Sequence, residues 1–305
     1  YQLDVLYLGW VFSLVYPVIL TIFILPGLIL LMLYLSALIL HIYRHRSKVF
    51  DALHQSLDQR DPWVGGRNLI GLLWDAHGII WHGYEVTGLE NLPESGPALI
   101  IYYHGALPLD IYYLVSRVIL LKKRLIVCVA DRFLEKIPGW KVILEAFKIT
   151  PGTVSICSDM LRQGHILSIS PGGVREALFS DNNYDILWGK RCGFAKVALQ
   201  ANVPIIPMFT ENLREAFRTF IWPQWFWLRI YEFTRLPLVP LYGGFPVKLR
   251  THLGRPIIPM ADETPDELAA RVKKHLYELI HQHQRLPGNI FRSLVARVYE
   301  KPKEQ

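Results

Sequence analysis

The sequence is short of charge. From Val5 to Leu40 it contains no Asp, Glu, Lys, Arg or His, a stretch of 36 residues, and over all 305 residues the charged types make up only 19%. With 51% hydrophobic residues and a mean hydropathy of +0.23, a disordered chain is excluded, because disorder needs low hydrophobicity and high net charge. Cysteine is scarce too. Cys128, Cys157 and Cys192 are an odd number without Cys-x-x-Cys spacing, which argues against a disulfide scaffold and fits a reducing compartment. The absence of Gly-x-Ser-x-Gly argues against a serine lipase built on a nucleophile elbow. The net charge of +7 is spread without a long basic run; it suits an anionic surface or a phosphorylated ligand and speaks against nucleic acid.

What is there first is the apolar N-terminal stretch. As one straight helix, 36 residues would run about 54 Å, against a hydrocarbon core of about 30 Å. Pro26-Gly27 near its middle is a turn signal, so a transmembrane helical hairpin is expected, narrowly ahead of one long tilted helix. The basic cluster His41 to Lys48 places everything downstream on the cytosolic side by the positive-inside rule. The expected organisation is a membrane anchor over 1–48, a linker helix region over 49–79 and a catalytic domain over 80–305.

From about residue 80 short β-rich runs alternate with helical ones, the rhythm of an α/β fold with a sheet flanked by helices. Candidate strands are Tyr84–Leu89, Ala98–Tyr103, Leu125–Ala130, His165–Ser170, Pro204–Phe209 and Val247–Gly254. Thr264-Pro265-Asp266-Glu267 reads as N-cap, first-turn proline and capping-box acid of a helix whose Leu268, Val272, Leu276 and Ile280 share one face.

Two motifs carry chemistry. In Tyr103-His104-Gly105-Ala106-Leu107-Pro108-Leu109-Asp110 a histidine follows an apolar strand, with an acid shortly downstream. An imidazole of near-neutral pKa can take a proton from a hydroxyl, and a carboxylate on its other ring nitrogen would fix the tautomer. In the second, Ile166–Ile169 enters Ser170-Pro171-Gly172-Gly173-Val174-Arg175-Glu176, a turn whose backbone N–H groups can face an anion. The bland reading is a tight strand-to-helix connection.

Together these residues resemble the glycerolipid acyltransferase superfamily, which includes the lysophospholipid acyltransferases and the diacylglycerol acyltransferase 2 group. The resemblance covers most of residues 75–260. It implies a mixed sheet flanked by helices, His104 and Asp110 as the catalytic pair, and Ser170 through Arg175 as a site for the acyl acceptor. Trp188 to Ala198, containing Lys190 and Arg191, and Val203 to Met208 are similar to the two remaining blocks. Five residues separate His104 from Asp110 where the superfamily usually has four, and Gly172 stands where it usually has Glu. The Pro-Gly-Gly form is nearer to the diacylglycerol acyltransferase 2 group and implies a less charged acceptor.

The expected function is therefore a membrane-bound O-acyltransferase of the endoplasmic reticulum that acylates diacylglycerol, monoacylglycerol or alkylglycerol to storage lipid. The donor is acyl-CoA or a membrane phospholipid, a substrate rather than a cofactor. Backbone N–H groups near Gly105 or Gly172-Gly173 are candidate oxyanion donors, and Arg175, Glu176, Lys190 and Arg191 are expected on the substrate side. A lysophospholipid acyltransferase and a catalytically silent lipid-binding or scaffold protein on the same fold remain open alternatives. Trp222, Trp225 and Trp227 with Phe226, Tyr231 and Phe233 fit either a lipid interface or a buried aromatic core. Asp75, His77 and His82, and separately His281 with His283, have loosely metal-like spacing without further ligands, so no metal is expected.

Overall fold

The computed structural model describes residues 2–50 and 61–299. Along the chain, α1 (Gln2–Ile19), a π-helical turn over Leu20–Ile24, α2 (Leu25–Phe50) and α3 (Val64–His82) precede the first strand. There follow β1 (Glu85–Thr87), β2 (Ala98–Tyr102), α4 (Leu109–Lys122), β3 (Ile126–Ala130), α5 (Lys141–Ala146), β4 (Thr150–Pro151), α6 (Val154–Arg162), β5 (Ile166–Ile169) and α7 (Gly173–Phe179). The C-terminal part contains α8 (Gly193–Ala201), β6 (Ile205–Glu211), α9 (Leu213–Ala216), β7 (Phe217–Thr219), α10 (Gln224–Thr234), β8 (Leu241–Gly243), β9 (Arg250–Leu253), α11 (Pro265–His283) and α12 (Ile290–Tyr299).

β2 is apolar at four of its five positions and buried at all of them, the pattern of a parallel strand covered on both faces. It lies at the centre of a seven-stranded sheet of order β1-β9-β6-β2-β5-β3-β4. Every pair is parallel except β6 with β9, so the sheet is mixed, as expected. All six expected strands are present. On one face α6, α8 and α11 pack over Leu99, Ile101, Leu167 and Ile205; on the other α4 covers Ile100, Ile166 and Ile206. The capping box on Thr264 and Glu267 forms, and Leu268, Val272, Leu276 and Ile280 are fully buried, each contributing about 1.5–3 kcal/mol.

The N-terminal segment departs from expectation. The chain does not turn back at Pro26-Gly27 but continues helically through it. In a straight α-helix the Pro26 ring would strike the preceding turn; here the turn is widened, with the Leu25 N–H bonded to the Leu20 carbonyl, the i to i−5 pattern that absorbs such a clash. Beyond it Ile29, Leu33, Ala37 and Leu40 form a buried stripe on α2, packed toward α3 and α5. Those apolar residues cover protein. Among the described residues no helix is long and apolar enough to cross a membrane. The transmembrane hairpin is thus overturned, and the endoplasmic-reticulum membrane placement with a cytosolic catalytic domain, which depended on that anchor, falls with it. The side chains of the basic cluster His41 to Lys48, and residues 51–60 of the expected linker, lie outside what is described.

Candidate active site

β2 and β5 are parallel neighbours, with Ile101 opposite Ile169. Whatever follows them emerges side by side at the carboxyl edge of the sheet, where open α/β sheets place their sites. The two motifs, far apart in sequence, therefore meet. His104 follows β2, Ser170 follows β5, and both line a cavity of about 830 Å³. Its remaining wall is mostly apolar and includes Leu33 of α2, Trp74 of α3 and Trp140 before α5. The N-terminal helices thus help to enclose the site, which the sequence did not reveal.

The His104 Nδ1 lies 2.7 Å from the Gly105 carbonyl oxygen. A carbonyl only accepts, so Nδ1 carries the proton and Nε2 keeps its lone pair. Desolvation in the apolar wall, aided by the Arg214 charge and opposed by the Gly105 carbonyl, pulls the imidazole down to about 4. The ring is accordingly neutral near pH 7.

Glu176 holds the two motifs together. Its Oε1 accepts from the His104 backbone N–H at 2.9 Å and its Oε2 from the Leu187 N–H at 2.8 Å. Burial pushes this carboxyl up to about 7 against those two donors. Gly172 is required by this arrangement: a Cβ there would lie 2.4 Å from Glu176 side-chain carbons. Glu176 thus fills the space that a side chain at position 172, where the resemblance leads one to expect Glu, would need. Beneath them Arg214, 2% exposed, donates from Nε to the Tyr103 hydroxyl and from Nη2 to the Glu176 carbonyl at 2.6 Å. Arg214 escaped the sequence reading. Its one signal is a charged pair, Arg214-Glu215, shortly after the apolar run Ile205 to Phe209.

The other site residues divide. Asp110 is buried in the first turn of α4, where its Oδ2 accepts from Thr210 Oγ1 at 3.1 Å. Its Oδ1 has no partner, and among the described hydrogen bonds none joins it to His104. Burial raises its carboxyl to about 7. Thr210 continues through Thr251 to the Tyr84 hydroxyl, at 2.8 and 2.9 Å. Gly105 admits the Leu213 side chain, 2.5 Å from where a Cβ would stand. Arg191 reaches the cavity, but its Nη1 donates to the Pro171 and Gly172 carbonyls at 3.0 and 2.7 Å. Arg175 and Lys190 are exposed and outside the lining. Gly173, at φ +53°, gives its N–H to the Ser170 carbonyl, whereas the Ser170 hydroxyl is buried without a partner. Farther off, Trp222, Trp225 and Phe233 are exposed, while Tyr231 packs against Phe179 and Leu178.

Comparison with known proteins bears on what this arrangement does. A family model described as Acyltransferase matches residues 83–211, the segment that carries both motifs. A human protein described as a DGAT1/2-independent enzyme synthesizing storage lipids is 49% identical over 96% of this chain and 87% of its own length. A Gallus gallus protein of the same description is 46% identical over 98% of this chain and 87% of its own. A crystal structure of the 1-acyl-sn-glycerophosphate acyltransferase from Thermotoga maritima aligns over 81% of this chain and 96% of that one, at 16% identity and a TM-score of 0.49.

Proposed function

The chain belongs to the acyltransferase family of the DGAT1/2-independent storage-lipid synthases, and from that premise we propose that it transfers a fatty acyl group to the free hydroxyl of diacylglycerol, monoacylglycerol or alkylglycerol, with His104 as general base. The observation that carries this reading is the tautomer. With Nδ1–H given to the Gly105 carbonyl, the bare Nε2 of a neutral imidazole is in the cavity wall, ready to accept the acceptor's proton.

As the hydroxyl proton passes to Nε2, the hydroxyl oxygen attacks the donor's acyl carbonyl and a tetrahedral oxyanion forms. Collapse expels the donor's thiolate or alkoxide, which takes the proton back from Nε2. The donor is acyl-CoA or a phospholipid. Two N–H groups near the reaction are already engaged, His104 with Glu176 and Gly173 with Ser170. Oxyanion stabilisation is left to the Ser170 hydroxyl and to the Gly105 and Gly172 N–H groups, which make no described hydrogen bond. Asp110, bonded to Thr210, sits behind the site rather than as a direct hydrogen-bond partner of His104. Arg175, turned outward, and Arg191, occupied with carbonyls, fit an acceptor without a phosphate.

The test is lipid synthesis by purified protein in mixed lipid vesicles, with labelled acyl-CoA or labelled phospholipid as sole donor. His104→Ala is expected to lower the rate about 100-fold or more while the fold is retained. Full activity in that variant would overturn the assignment. The missing His104–Asp110 hydrogen bond favours a second reading, a silent lipid-binding member of the fold; absence of product from the wild-type protein with either donor would select it.

A further inference from the structure

The wall of the cavity beside His104 is mostly apolar, yet it carries three polar groups that the acyl transfer described above does not use. Tyr102 ends β2, Tyr112 lies in α4 and Trp74 in α3, and all three line the cavity. Tyr102 and Trp74 are 5% and 4% exposed. The Oη atoms of Tyr102 and Tyr112 and the Nε1 of Trp74 make no described hydrogen bond. None of them is among the sealed, partnerless polar atoms of the interior, so each opens onto the cavity. The Trp74 and Tyr112 rings pack with centroids 5.1 Å apart, and the Tyr112 phenol acts electrostatically on that of Tyr102, which joins the three side chains in one cluster.

Nearby hydroxyls differ. Ser36 and Ser116 also line the cavity, but they give their protons to the Met32 and Tyr112 carbonyls, each at 2.8 Å. Two phenols and an indole N–H remain as donors without an acceptor, and buried tyrosine and tryptophan normally find one. Desolvation by burial raises both phenols well above their ordinary pKa, so they stay neutral donors through the working pH range. Of the two cations in the lining, Arg191 is occupied by the Pro171 and Gly172 carbonyls and Arg132 is exposed beside Asp131. Uncharged donors in an apolar surround suit neutral acceptor oxygens, such as those of esters, rather than a phosphate.

We propose that Tyr102, Tyr112 and Trp74 form a subsite for the ester oxygens of the glycerolipid acceptor and thereby select acceptors that carry an ester beside the free hydroxyl. The proposal rests on the acyl-transfer reading of the cavity. Tyr102 is two residues from His104, and their ring centroids are 6.1 Å apart with planes 29° from parallel. An acceptor whose free hydroxyl meets His104 Nε2 bears its nearest ester on the adjacent glycerol carbon, within reach of the Tyr102 hydroxyl. The phenols donate, the ester carbonyl accepts, and the hydroxyl is held toward the imidazole by its own neighbour on the glycerol.

The experiment sets diacylglycerol against dialkylglycerol of the same chain length, whose ethers lack the carbonyl, as competing acceptors in mixed lipid vesicles with one acyl donor and the full-length protein. Equilibrium binding of each acceptor is measured separately, without donor. Wild type is expected to prefer diacylglycerol by about 10-fold in both measurements. Tyr102→Phe and Tyr112→Phe should each cut that preference by about 3- to 10-fold, through poorer use of diacylglycerol, while the dialkylglycerol rate and the KM of the donor stay unchanged. Ser116→Ala, whose hydroxyl is already given to a helix carbonyl, should keep the preference. Equal treatment of the two acceptors by wild type overturns the proposal, as does a preference that both tyrosine variants leave intact. A loss equal for both acceptors overturns it too, and assigns the phenols to the acyl donor or the tetrahedral oxyanion. If wild type forms no product from either acceptor, the acyl-transfer reading fails, and the binding preference alone then decides the subsite.

Discussion

At the scale of single residues, the tautomer and charge of His104 are set by its immediate surroundings. The Gly105 carbonyl fixes the proton on Nδ1, and desolvation lowers the imidazole to about 4. The basic form is therefore present above that pH, and activity should fall only as pH drops below about 5, whereas an unperturbed histidine would give a limb near 6.5. A pH profile of kcat/KM with a donor that does not itself titrate there checks this; a limb centred at 6.5 would show that the ring is not desolvated in the working enzyme. Ser170→Ala should lower kcat about 100-fold with little change in melting temperature if its hydroxyl faces the oxyanion, as kinetics beside thermal unfolding would show. Gly172→Ala is a packing test, because its Cβ would meet the Glu176 side chain. It should cost about 1–3 kcal/mol of stability and activity as well, since the displaced carboxylate also holds the His104 N–H.

Elements were legible to the degree that a single local pattern specified them. β2 could be read from an unbroken apolar run, and α11 from a capping box followed by Leu268, Val272, Leu276 and Ile280 at helical spacing. Short strands such as β4, with two residues, carry too few positions to show any period. The N-terminal helices failed for a different reason. Hydropathy records that Leu25 to Leu40 is apolar but not what each face meets; that Ile29, Leu33 and Leu40 are buried against neighbouring helices while Leu28, Leu30, Leu31 and Leu35 are exposed is visible only in three dimensions. Because Leu33 faces the cavity, α2 should influence which acyl chains fit. Leu33→Trp is expected to lower kcat/KM for long-chain donors by about 10-fold or more relative to short-chain ones. Equal loss across chain lengths would mean that the cavity wall at α2 does not meet the chain.

For the molecule as a whole, sheet topology is what brings the parts of the site together, and topology was the part least visible in the sequence. His104 and the Pro171-Gly172-Gly173 turn could be read as strand-end motifs, but their adjacency follows from β2 pairing with β5. Thr210 arrives on β6, on the other side of β2, and Arg214 on α9 just after it. Convergence at one sheet edge also buries several ionisable groups, which makes stability depend on pH. Asp110 and Glu176 are both raised to about 7, so the folded state binds protons that the unfolded chain releases near pH 4. Their contribution is full below pH 4 and is lost as pH rises through 7. His82 and His104, lowered to about 3 and about 4, act in the opposite sense: their contribution is full above about 6.5 and lost as pH falls through 4. The two pairs offset one another between about pH 4 and 6.5, and above that range the carboxylates alone decide the slope. Asp110→Asn isolates one of them, since the amide oxygen still accepts from Thr210 and carries no charge. The variant should match wild type in stability near pH 4 and exceed it at pH 8 by on the order of 3 kcal/mol. Thermal or denaturant unfolding of both proteins across that range measures the difference, and a difference independent of pH would mean that the Asp110 carboxyl titrates alike in the folded and unfolded protein.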